Sequence, residues 1–388
     1  MLDIDAIRAE TPGCSQVVHL NNAGSSLPPR RVVDAMVDWL RDEELQGGYE
    51  VARNRVNDLA AFHSTTAVML GCDPSEVAFT PSAADGWWRA FMSVPIEPGE
   101  RILVNRSEFQ ANAFGWLRAR DLGAIIDVVP NDADGMVDLD ALDSLLGDDV
   151  ALVSMTMISM SNGAVQPVAE VGHLVAPHRA IYLLDACQAA GQLPLSVSEI
   201  GCDFLSYTGR KFMRGPRGTG ALFARETVMD RLSPPVFVDG HAAVWTGEMT
   251  WEANADATRF EFGEIPYAGK AALAVATQYV LDLGLDAIAE RIQMLADTLR
   301  SRLAETSGVE VLDEGTEQCG IVTFAVEGHD CLELQQQLEA EGINLSAPGQ
   351  GNAQLDIGSR GLASVLRAGV HYYNTVDELD RLVNSLPA

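Results

Sequence analysis

Short apolar runs alternate with segments of helical period through the first two thirds of the chain. Runs at Val77–Thr80, Arg101–Val104, Ile125–Val129, Ala151–Met157, Ile181–Asp185, Phe204–Tyr207 and Thr219–Phe223 predict strands. Between them Ala83–Val94, Gln110–Arg120, Leu139–Leu146 and Val168–Ala176 predict helices. Such alternation points to an α/β domain whose mainly parallel sheet is covered on both faces, with ligands at the carboxyl ends of the strands. The pattern changes after Phe262. A long helical region over Ala268–Glu305, expected to be two helices, leads into strands at Val309–Leu312, Gly320–Val326 and Val365–Tyr372. Helices at Cys331–Glu341 and Val376–Ser385 complete a smaller α+β unit. The expected division is a large domain over 20–262 and a small one built from 1–19 and 263–388.

Length and charge narrow the class. The 388 residues are enough for roughly two domains. A formal net charge of −29 makes the chain a poor partner for nucleic acid or an anionic membrane, both of which call for basic residues. No apolar run reaches the ~18 residues that span a bilayer. The start, MLDIDAIRAETPG, has neither the basic nor the apolar part of a signal peptide. Six cysteines lack C-x-x-C or zinc spacing, so no metal site is expected, and their usage fits the reducing cytoplasm.

The basic residues are lopsided, with 24 arginines and two lysines, Lys211 and Lys270. Lys211 stands in the densest stretch of the sequence, Tyr182–Phe223. Asp185 ends one apolar strand there, and a second strand runs straight into Thr208-Gly209-Arg210-Lys211. Gly215, Gly218 and Gly220 then permit tight turns and close backbone approach. Their spacing is not G-x-G-x-x-G and they precede a strand, which excludes a dinucleotide loop or a P-loop. A carboxylate and a lysine at neighbouring strand ends suit a cofactor with a cationic ring nitrogen and an aldehyde, and pyridoxal 5′-phosphate is one.

The string DACQ at 185–188 with GRKFMRGPRGTG at 209–220 resembles the class V aminotransferase group of fold-type I pyridoxal-phosphate enzymes. That group includes cysteine desulfurases and isopenicillin N epimerase-like proteins, and the segment is most similar to the ergothioneine-pathway C–S lyases. The likeness runs from HLNNAGSSLPP at 19–29 to LRAGVHYYNTVDEL at 366–379. It implies a large domain with a mainly parallel seven-stranded sheet, a smaller α+β domain and a homodimer. It implies Lys211 as the cofactor-bonding lysine, Asp185 as partner of the ring nitrogen and Gln188 as partner of the ring oxygen. Thr208 and Arg210 match the phosphate-binding pair, Ser82, Ala83 and Ala84 the first phosphate loop, and Phe109 the side chain stacked on the ring. Asn162 matches a group near the ring oxygen, and Tyr267 a residue reaching a neighbouring subunit's phosphate. Arg367 matches the clamp on the substrate's α-carboxylate, with Ala23 and Gly24 giving close backbone approach. Desulfurases need a mobile cysteine shortly before that arginine to accept sulfur, and 346–366 has none. The expected activity is a C–S β-lyase on an S-substituted cysteine or its sulfoxide. An aminotransferase or an epimerase of a small amino acid remains open, because nothing in the residues fixes where the α-proton returns.

Overall fold

Strands buried on both faces need continuous apolar runs, and the central strands have them. In the computed structural model, which describes residues 2–235 and 237–387, every residue of Val150–Thr156, Ile181–Asp185, Phe204–Thr208 and Gly220–Ala224 is buried. The seven-stranded sheet runs in the order Val77–Thr80, Gly220–Ala224, Phe204–Thr208, Ile181–Asp185, Val150–Thr156, Arg101–Val104, Ile125–Val128. Gly220–Ala224 pairs antiparallel with both neighbours and every other pairing is parallel. Each fully buried Leu, Val or Phe in this sheet contributes about 1.5–3 kcal/mol, and Leu103, Leu184, Leu205 and Phe223 join one continuous core.

The helices Ala83–Ser93, Gln110–Asp121, Leu139–Leu145 and Val168–Val175 follow the expected segments to within a residue or two. Three further helices, Arg30–Gln46, Gly48–Asn54 and Val56–Leu70, lie outside the sequence-based elements. Helix Tyr267–Leu283 packs against the first and last of these, and its Ala272, Leu273, Ala276 and Val280 join the core of the large sheet. A hairpin of Ala243–Gly247 and Thr250–Ala253 also lies outside the sequence-based elements, and it projects Trp245 and Met249 into solvent.

The smaller unit holds a three-stranded antiparallel sheet, Val309–Val311, Ile321–Val326 and Leu366–Gly369, against helices Leu285–Glu305, Cys331–Ala340 and Val376–Asn384. Val18–His19 pairs in parallel with Ile343–Asn344, so the N-terminal segment closes on this unit. The strand expected over Val365–Tyr372 is shorter, because the chain turns after Gly369 and buries Tyr372 and Tyr373 against Arg214. Among the described residues no single helix is long and apolar enough to cross a membrane.

Candidate active site

The strands ending at Asp185 and Thr208 are neighbours, and their carboxyl ends open on a cleft of about 710 Å³ counting its mouth. Gly191, at φ +89°, lets the turn after Asp185 press on the turn after Lys211. A Cβ there would lie 2.5 Å from the Phe212 carbonyl carbon. Arg214 holds the same turn at φ +57°, a conformation that costs energy for a non-glycine residue. Its buried guanidinium donates to the Leu27 carbonyl at 2.8 Å, the Tyr372 hydroxyl at 3.0 Å and the Thr11 hydroxyl at 2.5 Å.

Of the two lysines, Lys211 lines the cleft. Lys270 lies elsewhere, buried against Glu261 at 3.1 Å. The Asp185 carboxylate accepts from Asn112 Nδ2 and from the Cys187 backbone N–H, both at 2.8 Å. Burial pushes its pKa up, while these donors and the Lys211 charge oppose the rise. Asn112 also donates to Glu108 at 2.8 Å, and so bridges two carboxylates. Burial, and then the Asp185 charge, raise Glu108 to about 7, against hydrogen bonds from Asn112 and Thr156. Gln188 donates to the Ala23 carbonyl at 3.2 Å. Phe109 lines the cleft.

The opposite end is built for an anion. Ser82 caps the helix Ala83–Ser93, its hydroxyl accepting from the Asp85 N–H at 3.1 Å, and Ala83 and Ala84 carry N–H groups of the first turn. Gly220 brings its strand against this turn, for a Cβ there would meet the Ser82 carbonyl carbon at 2.9 Å. Thr208 sits beside it, donating to the Thr219 carbonyl at 3.2 Å. Arg210 is different: it lines the cleft, yet its guanidinium donates to the Gly24 carbonyl. Arg367 is buried, donating to the Ser346 hydroxyl at 3.0 Å and to the carbonyl of Met160, a cleft residue, at 3.3 Å. Burial, and then the Arg210 charge, lower it to about 10.

Five of the expected residues do not line the cleft itself: Ala23, Gly24 and Arg367 border it through Gln188, Arg210 and Met160, Asn162 is turned to another segment, and Tyr267 is expected at a neighbouring subunit's phosphate rather than here. Asn162 donates to Glu314 at 3.0 Å and accepts from the Ala164 N–H at 3.0 Å, because its turn faces the 314–318 segment. Tyr267 opens a helix beside a separate surface groove and donates to the Gly263 carbonyl at 3.2 Å. Conversely, Asn112 and Thr156 carry much of the polar network and were not singled out. Their signal was the spacing of Glu108 and Asn112, four apart at a helix start facing a strand end.

The residues fit pyridoxal phosphate. Gln188 Oε1 and Asn112 Oδ1 are buried without a partner, and both residues line the cleft. Unsatisfied buried acceptors beside a lysine, a carboxylate and a helix N-terminus are what a polar ring with a phosphate arm would complete. Residues 18–382 match the family model described as aminotransferase class-V.

The chain belongs to the class-V aminotransferase family.

It is a pyridoxal-phosphate enzyme of fold type I. A probable cysteine desulfurase of Halobacterium salinarum is 30% identical over 399 residues, covering 98% of this chain and 95% of that protein. The apo structure of a cysteine desulfurase from Thermococcus onnurineus superposes with a TM-score of 0.92 at 23% identity, covering 99% and 97% of the two chains. A cystine C–S lyase in complex with its product cysteine persulfide superposes with a TM-score of 0.85 at 22% identity, covering 96% and 98%.

Proposed function

We propose that this class-V enzyme is a C–S β-lyase. It would convert an S-substituted cysteine, or its sulfoxide, to pyruvate and ammonia, rather than form a persulfide on itself. One observation carries this. The segment 346–366 before Arg367, where a desulfurase needs its accepting cysteine, contains none. It is also held down. Asp356 is buried, accepts from the hydroxyls of Ser159 at 2.8 Å and Ser161, and pairs with Arg360 at 2.8 Å. Cys319 and Cys331 are buried in packed cores. Cys187 lines the cleft, but burial raises its pKa and its own backbone is tied to Asp185. A raised thiol pKa makes for a weaker nucleophile, and a fixed backbone does not carry sulfur out of the cleft.

Lys211, Asp185, Gln188, Thr208 and the Ser82–Ala84 turn would hold the cofactor. When bound, it supplies an electron-accepting ring beside the substrate's α-carbon. Arg367 takes the α-carboxylate as a bidentate fork. Lys211 Nζ removes the α-proton. Asp185, fixed by Asn112 and the Cys187 N–H, keeps negative charge at the ring nitrogen's position. Phe109, in the cleft wall, would pack against the cofactor's ring and has no proton to move. The carbon–sulfur bond breaks, the sulfur group leaves with a proton as a thiol (from a sulfoxide, as a sulfenic acid), and water supplies the keto oxygen as nitrogen departs as ammonia. A homodimer in the cytoplasm belongs to the same proposal. A second copy would cover the exposed Trp245 and Met249, and the six free cysteines suit a reducing compartment.

The test is to incubate holoenzyme with S-substituted cysteines and their sulfoxides, with and without a keto acid. Equal yields of pyruvate, ammonia and the sulfur product are expected. Transfer of the amino group to the keto acid without pyruvate, inversion at the α-carbon, or a persulfide on the protein would each replace this function with another.

A further inference from the structure

Two buried carboxyl groups, Glu108 and Asp185, flank one buried amide. Asn112 Nδ2 donates to Glu108 Oε1 and to Asp185 Oδ2, at 2.8 Å each. Both amide hydrogens are thereby spent, and Oδ1 has no partner. The two carboxyl oxygens alone therefore set which way the amide points. Turned over, it would present Oδ1, an acceptor, to two further acceptors.

Glu108 is itself fixed. Its Oε1 also accepts from the Thr156 hydroxyl at 2.8 Å and from the Phe109 N–H at 2.9 Å, and the Ser154 hydroxyl donates to Oε2 at 3.3 Å. Thr156 ends the strand Val150–Thr156 and stands opposite Asp185 in the sheet register. The Asn105 side chain holds its backbone, accepting from the N–H at 3.1 Å and donating to the carbonyl at 3.0 Å. A path of hydrogen bonds thus runs from Asn105 through Thr156, Glu108 and Asn112 to Asp185. Nothing in it needs Glu108 to be charged, since a proton on Oε2 leaves Oε1 free to accept.

The path ends where charge matters. Burial disfavours the charged form of Asp185, and the Cys187 N–H, the Asn112 amide and then the Lys211 charge oppose it. A proton shared between Asp185 and a ring nitrogen goes to the more basic of the two. Each donor on Asp185 makes that carboxylate the weaker base. The Cys187 donor is backbone, so Asn112 is the side chain that sets the balance.

We propose that Asn112 is a positioning residue: oriented by Glu108, it donates to Asp185 so that the proton shared with the ring nitrogen of pyridoxal phosphate rests on the nitrogen. This rests on Asp185 as the partner of that nitrogen and is independent of which substrate bond the enzyme breaks.

The test reads the nitrogen rather than turnover. Each protein is loaded with pyridoxal phosphate isotopically labelled at the ring nitrogen, and the nitrogen NMR shift is recorded. Wild type and Glu108→Gln should show a protonated ring, because glutamine keeps an acceptor at Oε1. Asn112→Leu should move the shift toward that of an unprotonated ring and lower cofactor affinity about tenfold. Glu108→Leu, which frees the amide to turn, should move the shift the same way and serves where Asn112→Leu does not fold. A wild-type shift in either leucine variant would overturn the proposal. So would a Glu108→Gln shift equal to that of Glu108→Leu, since the charge of Glu108 would then act rather than its hold on Asn112. Asp185→Asn is the reference for an unprotonated ring. A wild-type shift there would remove Asp185 as the ring's partner, and the proposal with it. Failure of the lyase function would appear separately, as an absence of pyruvate.

Discussion

Arg367 has no acid beside it, and a buried guanidinium in that state waits for a carboxylate from outside the chain. Arg367→Gln should raise KM for amino acids by the equivalent of about 2–5 kcal/mol and leave the yellow colour of the holoenzyme unchanged. Steady-state kinetics beside an absorbance spectrum checks this, and loss of colour would move Arg367 into the cofactor's own site. Glu108 makes a pH prediction. Its carboxyl, raised to about 7, keeps a proton that an unfolded chain releases near pH 4.3. Between those values the folded state binds more protons, so its contribution to stability is full at low pH and lost as pH rises to 7. The apoenzyme should therefore lose on the order of 3 kcal/mol between pH 4 and 8 relative to Glu108→Gln, measured by urea unfolding. Parallel pH profiles would contradict the buried acid. Lys211 and Asp185 were legible in the sequence because strand ends and lysine scarcity marked them. Asn112 was not, since its one mark, the four-residue spacing from Glu108, points to no partner until the fold sets it against Asp185. Asn162 was misplaced for the complementary reason, as a turn can present its side chain to either side.

The 346–366 segment shows how an irregular element is held by polar contacts added to a small apolar cluster of Ala353, Ile357 and Val365. Its fixing points are Asp356 with Ser159, Ser161 and Arg360, together with Arg106, which donates to the Leu355 carbonyl at 3.2 Å. Asp356→Ala would strand the buried Arg360 charge, a loss of about 3–5 kcal/mol. Limited proteolysis should then cut within 350–362 before any other site, and unchanged protection would show that the acid does not secure the segment. Strands were predicted closely because their apolar runs are short, continuous and bounded by glycine or polar residues. The 243–253 hairpin escaped because its alternating side chains face solvent, so no buried face distinguished it. The Arg30–Leu70 helices carry few caps: no side chain caps any of the three at its start.

At the scale of the whole molecule, one sheet brings Asp185 and Lys211 to neighbouring strand ends, and the smaller unit brings Arg367, 156 residues further along the chain, against the carbonyl of Met160 at the cleft wall. The parallel order of the sheet followed from the alternation of elements. The meeting of the two units did not, because it depends on Arg214, Tyr372, Tyr373 and Asn22, whose contacts span up to 365 residues. Everything proposed for the cleft depends on which lysine bonds the cofactor, and the chain offers two. Borohydride reduction of the holoenzyme followed by peptide mapping fixes that bond in place. The pyridoxyl label should fall on Lys211 alone. A label on Lys270, which is buried against Glu261 outside the cleft, would contradict it.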